Sequence, residues 1–155
     1  MEYLMITNEK EALAAVKQDG YSLRYVVDQT EAVCLAAVKQ NGDALRFVRN
    51  QTEAICLAAV KQDGYSLSYI RNQTEAICLA AVKQKGYSVE YVREQSEAVC
   101  LAAVKQNGAS LEHVRGHQTE AVCLAAVKQN SDSLQYIRDR AIFDKLNLEV
   151  QQWNT

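Results

Sequence analysis

The sequence predicts an all-α fold, a short-repeat α-solenoid of six two-helix units of about 22 residues with a cap at each end. Three observations carry this. The stretch TEAICLAAVKQDGYSLSYIRNQ, residues 52–73, recurs as TEAICLAAVKQKGYSVEYVREQ over 74–95. Cys34, Cys56, Cys78 and Cys100 lie 22 residues apart, and Cys123 follows 23 later. Proline is absent, and five of the six units divide at a glycine: Gly20, Gly42, Gly64, Gly86 and Gly108.

Taken in order, residues 1–7 read as a half-unit cap. Met1, Glu2, Tyr3 and Leu4 align with Leu67, Ser68, Tyr69 and Ile70, and Thr7 and Asn8 stand where a helix N-cap belongs. The six units run 8–29, 30–51, 52–73, 74–95, 96–118 and 119–140. Before each glycine the spacing predicts a ten-residue helix, Glu53 to Gln62 in the third unit, with Thr52 as N-cap and Glu53 at the positive helix start. This helix is apolar from Ala54 to Val60. A wheel gives it a bulky side (Cys56, Leu57, Val60) and a small side (Ala54, Ala58). A helix apolar all round is expected to be buried all round. The glycine suits a left-handed position just past the helix. A second, shorter amphipathic helix, Ser66 to Asn72, turns Leu67 and Ile70 inward and Ser68 outward. The sixth unit has Ser131 for its glycine, and the fifth carries one extra residue at Gly116–His117, read as a loop insertion. Residues 141–155 leave the consensus; Ile142, Phe143, Leu146, Leu148, Val150 and Trp153 are expected to cover the last open face. The whole of 1–155 is read as one repeat domain.

Composition narrows the function. With 17 basic and 19 acidic residues the formal charge is −2, which argues against a dedicated nucleic-acid binder. No apolar run approaches the roughly 18 residues of a membrane span, and neither a signal peptide nor a transmembrane segment is expected. The five cysteines occupy one equivalent position in successive units. Equivalent helices sit about 8–10 Å apart, too far for disulfides, whose Cα atoms lie within about 7 Å. Buried thiols and a cytoplasmic location are therefore expected.

The pattern E-x-x-C-L-A-A-V-K-Q-N-G-x-x-L-x-x-V over residues 8–140 resembles a tandem-repeat family of unknown function found in bacterial and viral proteins. The resemblance implies an α-helical array and brings no activity and no site residues. The near-identity of the units points to recent duplication.

In a stack each repeated position becomes a row. Lys17, Lys39, Lys61, Lys83, Lys105 and Lys128, each followed by a glutamine, end the first helices, where a cation complements the helix dipole. The same row could grip an acidic partner. Arg49, Arg71, Arg93, Arg115 and Arg138 are expected either to pair with glutamates that start the next unit (Arg71 with Glu75) or to bind backbone carbonyls. Tyr25, Phe47, Tyr69, Tyr91, His113 and Tyr136 read as half-buried packing. Tyr21, Tyr65 and Tyr87, replaced elsewhere by Asp43, Ala109 and Asp132, read as surface contacts. One outward position runs Arg24, Arg46, Ser68, Glu90, Glu112, Gln135, from basic to acidic.

No G-x-S-x-G, HExxH or phosphate-loop motif is present, and the carboxylates come one per unit rather than as a close pair. No enzyme activity and no metal or other cofactor are expected. The function expected is recognition of another protein along an extended face. For a viral or phage source, the partner would be a host protein. The candidate contacts are the lysine row, Tyr21, Tyr65, Tyr87, Arg24, Arg46, Glu90 and Glu112. The alternatives are nucleic-acid binding along the Lys, Arg and Tyr rows, and a structural repeat that assembles with copies of itself.

Overall fold

A computed structural model describes residues 5–153. The proposed alignment of residues 1–4 with a half-unit lies outside the described residues. Six ten-residue α-helices alternate with six six-residue 3-10 helices, η1 to η6. These are α1 (Glu9–Gln18), η1 (Gly20–Tyr25), α2 (Glu31–Gln40), η2 (Gly42–Phe47), α3 (Glu53–Gln62), η3 (Gly64–Tyr69), α4 (Glu75–Gln84), η4 (Gly86–Tyr91), α5 (Glu97–Gln106), η5 (Gly108–His113), α6 (Glu120–Gln129) and η6 (Ser131–Tyr136), closed by α7 (Arg140–Trp153).

Local chemistry sets these bounds. Thr30, Thr52, Thr74, Ser96 and Thr119 cap α2 to α6, each hydroxyl accepting from the backbone N–H three residues on. Asn8 caps α1, accepting from the N–H groups of Lys10 and Glu11. Each of these α-helices ends on one extended residue, such as Asp63 at φ −146°, ψ 118°. Its side chain then accepts from the N–H two residues on and opens the 3-10 helix. Asp or Asn does this in five units; the exception is Lys85, which instead pairs with Asp63 at 3.7 Å and lies 4.0 Å above the Tyr65 ring. The second helix is therefore not the amphipathic stretch from Ser66 to Asn72. It begins at the glycine, ends at Tyr69, and is 3-10 in form, a geometry suited to such short pieces.

The α-helices form one row and the 3-10 helices another. Each α-helix packs on the next, each η on the next, and each η lies against its own α-helix and the following one. The core runs between the rows. In α3 the buried side chains are Ile55, Cys56, Ala59 and Val60, while Leu57 and Ala58 are half-buried and Ala54 is exposed. The expected wheel is thus corrected. A helix in the α row is covered on three sides, by its two neighbours and by the η row, and its fourth side faces solvent. The small residue that the stack cannot enlarge is Ala59, not Ala58.

The glycines are corrected too. No glycine among the described residues has a positive φ. The constraint is close approach: a Cβ on Gly64 would stand 2.6 Å from the Ala81 carbonyl oxygen and 2.6 Å from Ser88 Oγ of the next unit. Gly20, Gly42, Gly86 and Gly108 meet the equivalent carbonyl at 2.5–2.9 Å. This explains Ser131, which is exposed because no like unit follows it. The hydroxyls of Ser66, Ser88, Ser110 and Ser133 are buried and have no partner among the described residues, and Ala44 fills the same buried position in the second unit.

The ends differ from the middle. Ile6 joins the first unit through a short parallel bridge with Val26, its N–H donating to Tyr25 O at 2.8 Å. At the other end α7 packs on α6 and η6 through Leu146 and Val150, both buried. Ile142 and Phe143 are half-buried, whereas Leu148 and Trp153, expected to cover the last face, are 60% and 48% exposed. They lie on the outer side of an amphipathic helix. The inserted Gly116 lies in an exposed loop, where an added Cβ would meet no atom within 4 Å.

Gly64→Ala should therefore destabilise the fold by about 1–3 kcal/mol, because a backbone oxygen cannot move aside. Gly116→Ala should stay within about 0.5 kcal/mol of the parent. Denaturant unfolding of the two variants checks both values.

Candidate functional site

Most of the polar rows turn out to hold neighbouring units together. From the second unit on, the glutamine after the lysine reaches back to the preceding unit: Gln84 Oε1 accepts from Gly64 N–H at 2.7 Å, and Gln40, Gln62, Gln106 and Gln129 repeat the bond at 2.6–2.8 Å. A second glutamine row, Gln29, Gln51, Gln73, Gln95 and Gln118, carries no local signal in the sequence. Gln73 Nε2 donates to Leu67 O in its own unit and to Tyr91 O in the next, while its Oε1 accepts from Arg93 N–H at 3.0 Å. Gln118 keeps all three bonds despite the insertion just before it.

The arginines take the second of their two expected roles. Arg71 donates to Arg49 O and Val48 O at 2.9 Å, and Arg93 to Arg71 O and Ile70 O. Among the described residues none of the expected arginine–glutamate pairs forms. The 3-10 helix ends leave carbonyls without donors, and the two-pronged guanidinium satisfies two at once. The starting glutamates are engaged by the next unit's cap instead, as Thr30 Oγ1 donates to Glu9 at 2.7 Å. An open cleft of about 680 Å³ is lined by Arg71, Glu75, Cys78, Arg93 and Gln95, most of which already serve these bonds.

Two surfaces remain outside this bonding. The first belongs to the α row. Lys17, Lys39, Lys61, Lys83, Lys105 and Lys128 are all exposed, and none forms an ion pair among the described residues. Beside them run shallow grooves between successive helices, four of them with volumes of about 480–580 Å³. The groove between α4 and α5 is lined by Leu79, Ala98, Leu101 and Ala102, with Lys83 and Lys105 at its rim. The second surface belongs to the η row. Arg24, Arg46, Ser68, Glu90 and Glu112 are exposed there. Tyr21, Tyr65 and Tyr87 are half-buried rather than free, each ring packing edge-on against an aromatic of the next unit: Phe47 at 5.9 Å, Tyr91 at 5.8 Å and His113 at 5.6 Å. Arg24 and Arg46 lie 5.1–5.7 Å from the centroids of these and neighbouring rings. The aromatic row is likewise half-buried, apart from Tyr91, which is exposed.

Cys34, Cys56, Cys78, Cys100 and Cys123 are all buried and unbridged. Burial raises every one of these thiol pKa values, those of Cys100 and Cys123 to about 11. No cluster of three or more His, Cys, Asp or Glu able to hold a metal occurs among the described residues. Nor is any helix there long and apolar enough to cross a membrane.

This arrangement defines a tandem helical-repeat protein. Residues 33–74, close to two units, match a family described as Domain of unknown function (DUF4116). That span is shorter than the 8–140 over which the repeat pattern resembles such a family. No curated protein and no solved structure matches the chain.

The thiols yield a prediction with a definite sign. From the unperturbed 9.0 up to about 11, the folded protein keeps protons on Cys100 and Cys123 that the unfolded chain releases. Stability should therefore be unaffected by the thiols below that window and fall as pH rises through it. Thermal melting across the range, repeated on Cys100→Ala and Cys123→Ala, checks this; the variants should lose less stability over the same interval.

Proposed function

We propose that the array is a non-enzymatic recognition module that binds another protein along the solvent face of its α row. The observation that carries this reading is how the exposed residues are distributed. The Arg, Gln, Thr and Glu rows are committed to neighbouring units. Ala54 and Lys61, with the outer flanks of Leu57 and Ala58, face outward with no structural partner to satisfy. An alanine repeated on the solvent face of α2 to α6 is of no use to the core. Contiguous exposed apolar surface is characteristic of an interaction site.

The chemistry fits an amphipathic protein segment. Its apolar side chains would fill the grooves between helices, and its carboxylates would meet the lysine rim. Because the grooves are already formed between packed helices, the module itself loses little conformational entropy on binding. The lysines contribute partner selection and association rate more than affinity. Nucleic acid is the competing occupant of the same lysines. The six lysines, one per unit, are sparse beside a phosphate every roughly 3.4 Å of strand.

The test is affinity capture from host lysate, with and without nuclease, comparing the parent with a variant carrying Ala54→Glu, Ala76→Glu and Ala98→Glu. All three alanines are exposed, so the variant should melt like the parent. A stoichiometric protein that survives nuclease and is lost by at least about tenfold from the variant supports the reading. Retention of that protein by the variant, or capture of nuclease-sensitive material alone, overturns it.

A further inference from the structure

The outward row of η1 to η5 has an order of its own. Read along the stack it is Arg24, Arg46, Ser68, Glu90, Glu112: two cations, a neutral centre, two anions, at one position in successive units and all exposed. The row is antisymmetric in charge about Ser68. Neighbouring rungs are about 10 Å apart, so like charges stand side by side at each end. The opposite charges, Arg46 and Glu90, are two units apart and cannot meet within a rigid stack.

Internal contacts leave these charges largely unmatched. Glu90 and Glu112 use only their backbone carbonyls, which accept from Arg115 and Arg138; their carboxylates form no ion pair or hydrogen bond among the described residues. Arg24 donates to its own Tyr21 carbonyl and has no acidic partner there. Arg46 donates to the Tyr21 hydroxyl at 3.3 Å, and its one acidic contact, Asp43 at 3.9 Å with both side chains partly exposed, is a pair of little strength.

We propose that a second copy of this chain docks on the η row, antiparallel to the first, about a two-fold axis through Ser68. That axis lies in the interface across the stack. It sets Arg24 opposite Glu112 of the other copy and Arg46 opposite Glu90, each pair occurring twice. In the flanking columns Tyr69 faces its own equivalent, Phe47 faces Tyr91 and Asp43 faces Tyr87; the arginine column sets Arg71 opposite Arg71 and Arg49 opposite Arg93, guanidinium groups already bonded to backbone carbonyls of their own stack. Arginine and tyrosine are the residue types that interfaces concentrate. A closed two-fold contact uses the same patch on both partners, which is what an antisymmetric row provides. Five rungs span only about 40 Å, so the contact belongs to the small, salt-sensitive class. It is independent of the α-row reading, whose residues lie on the other row.

The test is sedimentation equilibrium at low and moderate salt. The parent should approach twice its monomer mass with concentration, and salt should weaken the association. Arg24→Glu with Arg46→Glu makes the row wholly acidic; Glu90→Arg with Glu112→Arg makes it wholly basic. Each variant alone should associate at least about tenfold more weakly than the parent, while an equimolar mixture should recover a heterodimer. Ala54→Glu, Ala76→Glu and Ala98→Glu on the α row should leave self-association unchanged. The acidic variant gives up arginine–aromatic contacts, so circular dichroism must first show it folded; the basic variant, which alters no side-chain contact, serves if it is not. A parent monomeric to roughly millimolar concentration, or a basic variant that associates as the parent does, overturns the proposal.

Discussion

The bond from the Gly64 N–H to Gln84 Oε1, 2.7 Å long and repeated at every seam between like units, is the constraint on which the rest of the structure depends. Two things must hold for it to form. The glycine must lack a Cβ, because the Ala81 carbonyl occupies that space, and the glutamine must sit in the last turn of the following helix. Once both hold, the spacing between units is fixed at one value. Ten-residue helices are too short to persist alone in water, so the spacing decides whether the chain folds at all. The second glutamine row and the arginines close the same seam from the other end of the unit. Each such bond contributes about 1 kcal/mol net; their effect is to select one register between units that are nearly identical and could otherwise slide.

That commitment of side chains also determines what is left for other molecules. A row that bonds the next unit cannot vary without breaking the seam, and the second unit and the fourth differ little in those rows. The outward η position, which meets neighbouring units only through the ring contacts of its two arginines and the Arg46–Tyr21 hydroxyl bond, runs from arginine to glutamate. The α row carries its lysines and leucines unaltered through all six units, although the exposed lysines form no ion pair among the described residues. The two surfaces thus have different characters. The α row is uniform, suited to an elongated occupant that meets the same chemistry at each step. The η row has direction.

The period, the α-helix bounds, the threonine caps and the buried thiols were legible in the sequence because each follows from a local pattern or from one fixed spacing. What was not legible lies in contacts between units. Gln84 and Lys83 are adjacent polar residues at a helix end, and no local rule says that one bonds a glycine 20 residues back while the other faces solvent. The glycines read naturally as left-handed caps, since the common reason for glycine after a helix is its φ; here the reason is a neighbour's carbonyl. Two departures from the repeat did carry the signal. Ser131 stands for glycine only in the unit that no like unit follows, and Lys85 replaces an Asp or Asn cap where it meets Asp63 across the seam. The solvent face of the α-helices was not legible because an unbroken apolar run from Ala54 to Val60 looks buried on every side. Alanine and leucine at Ala54 and Leu57 do not distinguish a fourth packed side from an interaction surface.

The central claim is that the glutamine–glycine bond across each seam sets the array, and position in the stack separates it from any intrinsic effect of glutamine in a helix. Gln84 accepts from a glycine N–H, whereas Gln18, at the equivalent place in the first unit, is exposed and its side chain forms no hydrogen bond among the described residues. Equilibrium unfolding of Gln84→Ala against Gln18→Ala measures the difference directly. The account predicts a loss of about 1–3 kcal/mol for Gln84→Ala, since the buried Gly64 N–H is left without an acceptor, and a change within about 0.5 kcal/mol for Gln18→Ala. Equal effects at the two positions would contradict it.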